Sequence, residues 1–196
     1  MSWRCFLLEP TDRVARALRR YHSGDGWTCD TGWHEAQTRI EDGTLIVDEC
    51  GLHRTEPLDW PRDDPRWPTH CACGYEFTQD DVWQLFYNAL YRDPRDGREY
   101  ALRDAPAGAM VEMSWLADVW HGADGRCYGV ILPDRREWVI DGPARDGSAR
   151  GPGWIRTGEP PALTARPSIL TPQYHGWLTD GVLSDDLEGR RYQEAS

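Results

Sequence analysis

The most constraining segment of this chain is Thr69-His70-Cys71-Ala72-Cys73-Gly74-Tyr75-Glu76-Phe77. It places two thiols one residue apart and follows them with a glycine and aromatic residues. Glycine permits a tight turn that points backbone amides at the thiolates, and the aromatic side chains can pack behind a bound metal ion. Cys71 and Cys73, called the thiol pair below, are therefore predicted to bind structural zinc. The alternative is that two thiols are simply buried beneath the proline-rich segment 54–69, because most zinc knuckles space their cysteines C-x₂₋₄-C rather than C-x-C.

A structural zinc site needs four protein ligands, so a second pair must come from elsewhere in the chain. The two candidates are Cys29-x₄-His34 and Cys50-x₂-His53. Spacing alone slightly favours Cys50 and His53, which are closer together and nearer to the thiol pair. His70 is a further option, although adjacent residues seldom both reach one ion. The residues therefore leave the second ligand pair open.

Charge and composition exclude several classes of protein. The chain has 196 residues, with 33 acidic and 22 basic side chains and a net charge of −11. Every basic residue is arginine, and P-loop hydrolases, protein kinases and pyridoxal enzymes each require a lysine. The acidic balance argues against broad nucleic-acid binding. Without a long apolar run or a signal-peptide pattern, the sequence predicts a soluble, non-secreted protein.

The sequence contains no recognisable catalytic constellation. His34-Glu35 begins like the H-E-x-x-H motif of zinc proteases, but position 38 is threonine. Cys5 and Cys127 lie in predicted strands and are expected to be small core residues. A catalytic pair of Cys127 with a histidine is an open alternative, as is a two-metal nuclease built on acidic pairs. Those acidic pairs are Asp63-Asp64, Asp80-Asp81 and Asp185-Asp186.

Hydrophobic spacing predicts two helices. Val14, Ala17, Leu18 and Tyr21 follow the i, i+3, i+4, i+7 pattern after a Thr-Asp cap, which predicts a helix over residues 11–21. Thr78-x-x-Asp81 resembles a capping box before an apolar stripe, which predicts a helix over residues 79–92.

The remaining pattern is that of short strands and turns. Strands are predicted at residues 3–8, 44–47, 127–132, 137–140, 154–156 and 174–178, with a hairpin turn at 133–136. The predicted class is a zinc-stapled α+β fold of mostly antiparallel strands, two helices and long loops rich in proline and tryptophan. One compact domain is predicted over residues 1–183, followed by a polar tail at 184–196.

Two groups of residues are candidates for partner binding. Arg13, Arg16, Arg19 and Arg20 lie together on the first predicted helix, where they form either a surface for phosphates or acidic neighbours, or a solvated face. The chain also has 11 tryptophans, and tryptophan is enriched at interface hot spots. Trp60 and Trp67 of the proline-rich segment are therefore predicted contact residues, with local anchoring as the alternative.

Several segments of the chain resemble a family of short proteins encoded by actinobacteriophages. The resemblance is carried, in order, by MSWRCFLLEPTDRVARALRRY, DDPRWPTHCACGYEFTQDD, YALRDAPAGAM, WVIDGPARDG, GWIRTGEPP and YHGWL. It implies an origin more than an activity, and it agrees with an arginine-rich, lysine-free composition typical of GC-rich genomes. Members usually have C-x-x-C where this chain has C-x-C, and many carry further cysteines that this chain lacks. Many also have an earlier Cys and a Tyr-His, so the resemblance implies Cys29 and His34 as the second ligand pair, with Cys50 and His53 in reserve.

The sequence thus predicts a non-enzymatic phage protein that acts by binding. The expected setting is a minor component of the virion that docks on capsid or connector proteins. One alternative is an inhibitor of a host protein or defence system, acting in the host cytoplasm during infection. The other is a zinc-dependent hydrolase or nuclease. Direct nucleic-acid binding and membrane association are not expected.

Overall fold

The computed structural model describes residues 1–22, 33–44, 60–143, 153–171 and 174–185, and their regular structure is almost entirely β. The strands are β1 (Ser2–Arg4), β2 (Phe6–Leu7), β3 (Glu9–Tyr21), β4 (Glu35–Thr44), β5 (Val82–Arg92), β6 (Glu99–Ala101), β7 (Ala109–Glu112), β8 (Tyr128–Ile131), β9 (Glu137–Val139), β10 (Ile155–Thr157), β11 (Thr164–Leu170), β12 (His175–Thr179) and β13 (Val182–Asp185). Leu102–Asp104 and Ser114–Leu116 form short 3-10 helices. Within the described ranges, no helix has the length and apolar character needed to span a membrane.

The predicted α+β class with two helices is wrong. Residues 11–21 lie in β3, and from Val14 onward both faces of the strand carry buried residues. Val14 and Leu18 occupy one face and Ala15 and Ala17 the other, and each is at most 2% exposed. When both faces of a strand are covered, its apolar residues run together and the two-residue alternation disappears. The positions 14, 17, 18 and 21 then match the spacing of an amphipathic helix by coincidence.

The second predicted helix, over 79–92, is likewise mostly strand β5. Its capping motif does form, but as a turn: the Asp81 amide donates to the Thr78 carbonyl (3.2 Å), and the Thr78 amide donates to Asp81 Oδ2 (2.6 Å). The chain then continues extended, because β5 is rich in aromatic residues, which favour a pleated surface.

The chain divides into two compact units, where the sequence predicts one domain over residues 1–183. Unit 2 is Pro10–Leu90, and unit 1 comprises Met1–Glu9 with Tyr91–Ser196. Of the predicted tail, residues 184 and 185 complete β13, and the rest lies outside the described residues.

In unit 2, β3 lies between β4 and β5. β3 and β4 pair antiparallel, from Arg13 opposite Thr44 to Tyr21 opposite Glu35, with a bulge between Arg16 and Ala17. The apolar core of this unit consists of Leu18, Trp67 and Leu85, with Ile40, Trp60, Trp83 and Tyr87 packed around it.

Unit 1 contains a five-stranded antiparallel sheet in the order β1-β13-β12-β11-β10 and a four-stranded sheet in the order β2-β7-β8-β9. The β2–β7 pair is parallel. Residues of both sheets, among them Met110, Tyr128 and Leu178, share one core. The predicted hairpin around 133–136 is confirmed, since β8 pairs with β9 with Val130 opposite Trp138. The predicted strands at 154–156 and 174–178 are confirmed with shifts of about one residue, whereas residues 3–8 form two short strands and residues 45–47 lie outside the described part.

Five turns among the described residues share the pattern Asp-x-Arg. In each, the Asp Oδ1 accepts the backbone N–H of the arginine two residues later, at 2.9–3.1 Å. The pairs are Asp64 and Arg66, Asp93 and Arg95, Asp96 and Arg98, Asp124 and Arg126, and Asp134 and Arg136. In four pairs the arginine side chain also forms an ion pair with the same aspartate. In the remaining pair, Arg126 binds Glu112 and Asp124 binds Arg156.

Candidate metal centre

The thiol pair lies in a tight hairpin of unit 2. The Gly74 amide donates to the Cys71 carbonyl (2.9 Å), and the Cys71 amide donates to the Tyr75 carbonyl (2.8 Å). These bonds close a three-residue loop, 72–74, in which Gly74 has φ +91°, a conformation that glycine adopts at little cost. The C-x-C spacing therefore fits a hairpin loop, with one thiol at its start and the other in its middle.

His34 approaches the thiol pair from the start of β4. The His22 amide donates to the His34 carbonyl (2.9 Å), so the end of β3 and the residue before β4 are held together. The ligand atoms of His34, Cys71 and Cys73 all lie within 4.8 Å of one another. Cys73 Sγ lies 3.2 Å from His34 Nδ1. Cys71 is buried, His34 is half-buried and Cys73 is exposed.

These three side chains are close enough to hold a metal ion. A tetrahedral ion with bonds of about 2.3 Å to sulfur and about 2.0 Å to nitrogen would place its ligand atoms roughly 3.5–3.8 Å apart. The observed separations are within reach of that geometry after small side-chain movements. Two thiols and an imidazole form a donor set suited to soft or borderline transition metals.

Three of the four predicted ligands, His34, Cys71 and Cys73, thus come together in the structure. The fourth, Cys29, and the reserve pair, Cys50 and His53, lie outside the described residues. His70 is not in this group; its Nδ1 lies 2.9 Å from the hydroxyl of Thr69.

A polar group that the sequence analysis did not identify lies directly behind His34. The His34 ring stacks on the Tyr75 ring, with centroids 4.1 Å apart and planes 6° from parallel. The Tyr75 hydroxyl lies 3.2 Å from His22 Nδ1 and 3.4 Å from both carboxylate oxygens of Asp81. His22 Nδ1 is in turn 2.8 Å from Asp81 Oδ1. The Thr78-x-x-Asp81 spacing is the sequence signal for this group, although by itself the spacing predicts a helix cap.

The electrostatics of this group follow from burial and hydrogen bonding. Burial raises the pKa of Asp81, but hydrogen bonds from Thr78 and His22 outweigh it, so the pKa lies below its usual value. For Tyr75, desolvation and the neighbouring Asp81 carboxylate both raise the pKa. Asp81 is therefore a carboxylate, and the Tyr75 hydroxyl keeps its proton and donates to it.

Arg20 connects the two ends of the hairpin formed by residues 69–77, called the metal-site hairpin below. Its side chain, predicted to contact a partner, is buried and donates to the carbonyls of Pro68 and Thr78, which flank residues 69–77. The guanidinium group also lies 3.8 Å from the centroid of the Trp83 ring. Desolvation lowers the pKa of Arg20, while the nearby Asp81 carboxylate opposes that shift. The structure therefore places Arg20 inside unit 2, where it connects β3 to the hairpin.

The other predicted partner-binding residues occupy varied positions. Trp67 is buried in the unit 2 core and its indole N–H donates to the Pro61 carbonyl (2.7 Å). Trp60 is half-buried and donates to Asp64 Oδ2 (3.0 Å). Arg13 is exposed, and Arg16 lies half-buried with its guanidinium group 5.6 Å from the centroid of the Tyr87 ring. Trp67 is thus a local anchor, whereas Arg13 is accessible to solvent.

Cys127 is fully buried directly before β8, in agreement with the predicted small core residue. Burial and, to a smaller extent, the Asp141 carboxylate raise its pKa to about 11. A thiol with that pKa is almost fully protonated at neutral pH and is a poor nucleophile. Cys5 is also buried, and desolvation raises its pKa to about 11.

Comparison with protein-family models, with curated proteins and with solved structures yields no match to this chain, so the candidate site is interpreted from its own geometry.

Proposed function

We propose that this is a zinc-stabilised protein that acts by binding and that its zinc is structural. The observation that carries the proposal is the convergence of His34, Cys71 and Cys73, whose ligand atoms lie within 4.8 Å although His34 is distant in sequence from the thiol pair. Cys29 is the proposed fourth ligand, on the basis of the sequence resemblance. A four-ligand site is closed, and closed zinc sites contribute folding free energy rather than catalysis.

Zinc is the proposed metal because the donor set contains two thiols and one imidazole. Thiolate and imidazole together favour zinc over magnesium or calcium, which prefer oxygen ligands. The hairpin loop with glycine at its last position and the aromatic rings of Tyr75 and Phe77 beside it are also typical of small zinc-binding hairpins.

Elemental analysis and thermal unfolding test this proposal. The purified protein is expected to contain about one equivalent of zinc, and a strong chelator should lower its melting temperature markedly. Cys73→Ser should remove the metal, whereas the control His70→Ala, in the same hairpin, should retain it. A metal-free protein whose melting temperature is unaffected by both added zinc and chelator would contradict the proposal.

The biological setting proposed from the sequence resemblance is the virion, where the protein would dock on capsid or connector proteins. Peptide mass spectrometry of purified virions is the direct test. Detection at a fixed ratio to capsid proteins would support a virion role. Absence from virions, together with synthesis early in infection, would instead favour an inhibitor of a host protein.

The zinc-dependent hydrolase is distinguished from these roles by coordination. X-ray absorption spectroscopy of the zinc-loaded protein is expected to show four protein ligands, and Cys29→Ser should then weaken metal binding. Three protein ligands plus a water molecule, with unchanged metal binding in Cys29→Ser, would instead indicate an open catalytic site.

A further inference from the structure

The group formed by Tyr75, His22 and Asp81 lies next to the candidate ligand His34. None of its three side chains belongs to the cluster of candidate metal ligands itself. Its members come from three separate parts of unit 2: the residue after β3, the metal-site hairpin and the turn before β5. We propose that this group positions the His34 ring so that Nδ1 is its metal-binding atom. The proposal rests on the proposed function, because it concerns the same metal site.

The stacking geometry carries the first step. The His34 and Tyr75 rings are nearly parallel, at 6°, with centroids 4.1 Å apart. One side of the imidazole is therefore covered by the phenol ring, which restricts rotation about the His34 side-chain bonds. The edge carrying Nδ1 then points at the thiol pair, with Nδ1 3.2 Å from Cys73 Sγ.

The second step is that Tyr75 is itself held in place. Its hydroxyl lies within 3.4 Å of both Asp81 carboxylate oxygens and 3.2 Å from His22 Nδ1. Asp81 is only 5% exposed and also accepts the Thr78 amide at 2.6 Å, so it is a rigid anchor. The ring that orients His34 is therefore fixed at its far end by a buried carboxylate.

The backbone provides a second link between the same residues. The His22 amide donates to the His34 carbonyl at 2.9 Å, while the His22 side chain lies 2.8 Å from Asp81 Oδ1. His22 thus connects the main chain of His34 to Asp81, the residue that anchors the Tyr75 ring. Outer residues that orient metal ligands typically change metal affinity by about 10–100-fold when mutated.

The test compares Tyr75→Phe and Tyr75→Leu with the wild-type chain. Tyr75→Phe keeps the stacked ring and removes its anchor, and Tyr75→Leu removes both. Tyr87→Phe is the matched control, because it deletes a phenol hydroxyl from a tyrosine of the same unit whose ring packs against Arg16. Cobalt(II) and zinc affinities are measured by competition with a chromophoric chelator, together with the cobalt absorption spectrum and the melting temperature of each metal-free variant.

Tyr75→Phe is expected to weaken metal binding by about tenfold and Tyr75→Leu by more, toward 100-fold. The cobalt d–d bands should shift or weaken in both variants, while the metal-free melting temperature of Tyr75→Phe stays near that of the control. Wild-type affinity and spectrum in both Tyr75 variants would overturn the positioning role and leave the metal site intact. Affinity losses that merely track lower metal-free melting temperatures would also overturn it. Failure of the wild-type chain to bind either metal would instead overturn the proposed function.

A separate measurement identifies which nitrogen of His34 binds the metal. Long-range ¹H–¹⁵N spectra of the zinc-loaded protein are expected to show His34 with Nδ1 bound to metal and Nε2 protonated. Coordination through Nε2 would overturn the proposed orientation even if zinc binds tightly.

Discussion

At the scale of single residues, arginine performs structural work that lysine could not perform here. A guanidinium group is planar, donates two parallel hydrogen bonds to a carboxylate and stacks on aromatic rings. Arg95 illustrates all three properties, since it forms an ion pair with the buried Asp93 (2.7 Å) and lies 3.2 Å from the centroid of the Phe6 ring. The Asp64–Arg66 turn repeats this arrangement, since Arg66 forms an ion pair with Asp64 (2.7 Å) and lies 4.8 Å from the centroid of the Trp60 ring. The lysine-free composition therefore has a direct structural use.

Arg20→Lys tests this structural role of arginine at the metal-site hairpin. Lysine keeps the charge but cannot reach the Pro68 and Thr78 carbonyls together while stacking on Trp83. We expect a loss of about 1–3 kcal/mol in the free energy of unfolding, measured by chemical denaturation. The exposed Arg13→Lys is the control and should change stability by less than about 0.5 kcal/mol. Equal effects of the two substitutions would contradict the role assigned to Arg20.

Asp93→Asn tests an Asp-x-Arg turn through its pH dependence. Hydrogen bonds from the Arg95 side chain hold the pKa of Asp93 below its usual value. The stabilisation is therefore fully present above the unfolded-state pKa, near about 4, and is lost as the pH falls through the lower folded-state pKa. At pH 7 the variant is expected to be roughly 1–2 kcal/mol less stable than the wild type.

The same comparison near pH 2 provides the check. The difference in unfolding free energy between Asp93→Asn and the wild type should narrow as the falling pH protonates Asp93 in the folded wild type. A difference that stays constant from pH 7 to pH 2 would show that the charge of Asp93 contributes nothing.

At the scale of elements, a turn or strand can be predicted from the sequence when the contacts that determine it lie within a few residues. The hairpin around Pro133–Arg136 and the metal-site hairpin around Gly74 were predictable, because turn residues and alternation are encoded within a few positions. β3 and β5 were mistaken for helices, because their second faces are covered by residues far away in the sequence. The buried positions of Arg20 and Trp67 depend on the same distant contacts, so sequence alone suggested surface roles for both.

Gly176→Ala tests the close packing of β12 against β13. A Cβ at this position would overlap the Ser184 carbonyl oxygen and the Tyr174 hydroxyl. We therefore expect the substitution to lower the free energy of unfolding by about 1–3 kcal/mol. Thr179→Ala, at an exposed position of the same strand, is the control and should be nearly neutral. Similar unfolding curves for the two variants would refute the close approach.

At the scale of the whole molecule, the candidate ligands His34, Cys71 and Cys73 belong to unit 2 alone, as do Tyr75, His22 and Asp81. The core of unit 1 includes residues of both its sheets, such as Met110 and Leu178, and none of these ligands is among them. Metal binding is therefore expected to act on the stability of one unit rather than on the whole chain.

Calorimetry can separate the two units. Two unfolding transitions are expected, and a chelator should lower the midpoint of only one of them. Leu18→Ala should shift the chelator-sensitive transition, and Leu178→Ala should shift the other, each by an amount that corresponds to about 2–5 kcal/mol. A single transition that responds equally to both variants and to the chelator would contradict this division.

The two ends of unit 2 lie beside each other, because the Thr11 hydroxyl donates to the Leu90 carbonyl at 2.6 Å. Unit 1 is interrupted in sequence between Glu9 and Tyr91, where unit 2 is inserted. An insertion or deletion at that single junction would add or remove the whole metal-binding segment and leave the two parts of unit 1 complete. In gene comparisons, this architecture would appear as related chains that align at both ends and differ by a cassette of about 80 residues in between.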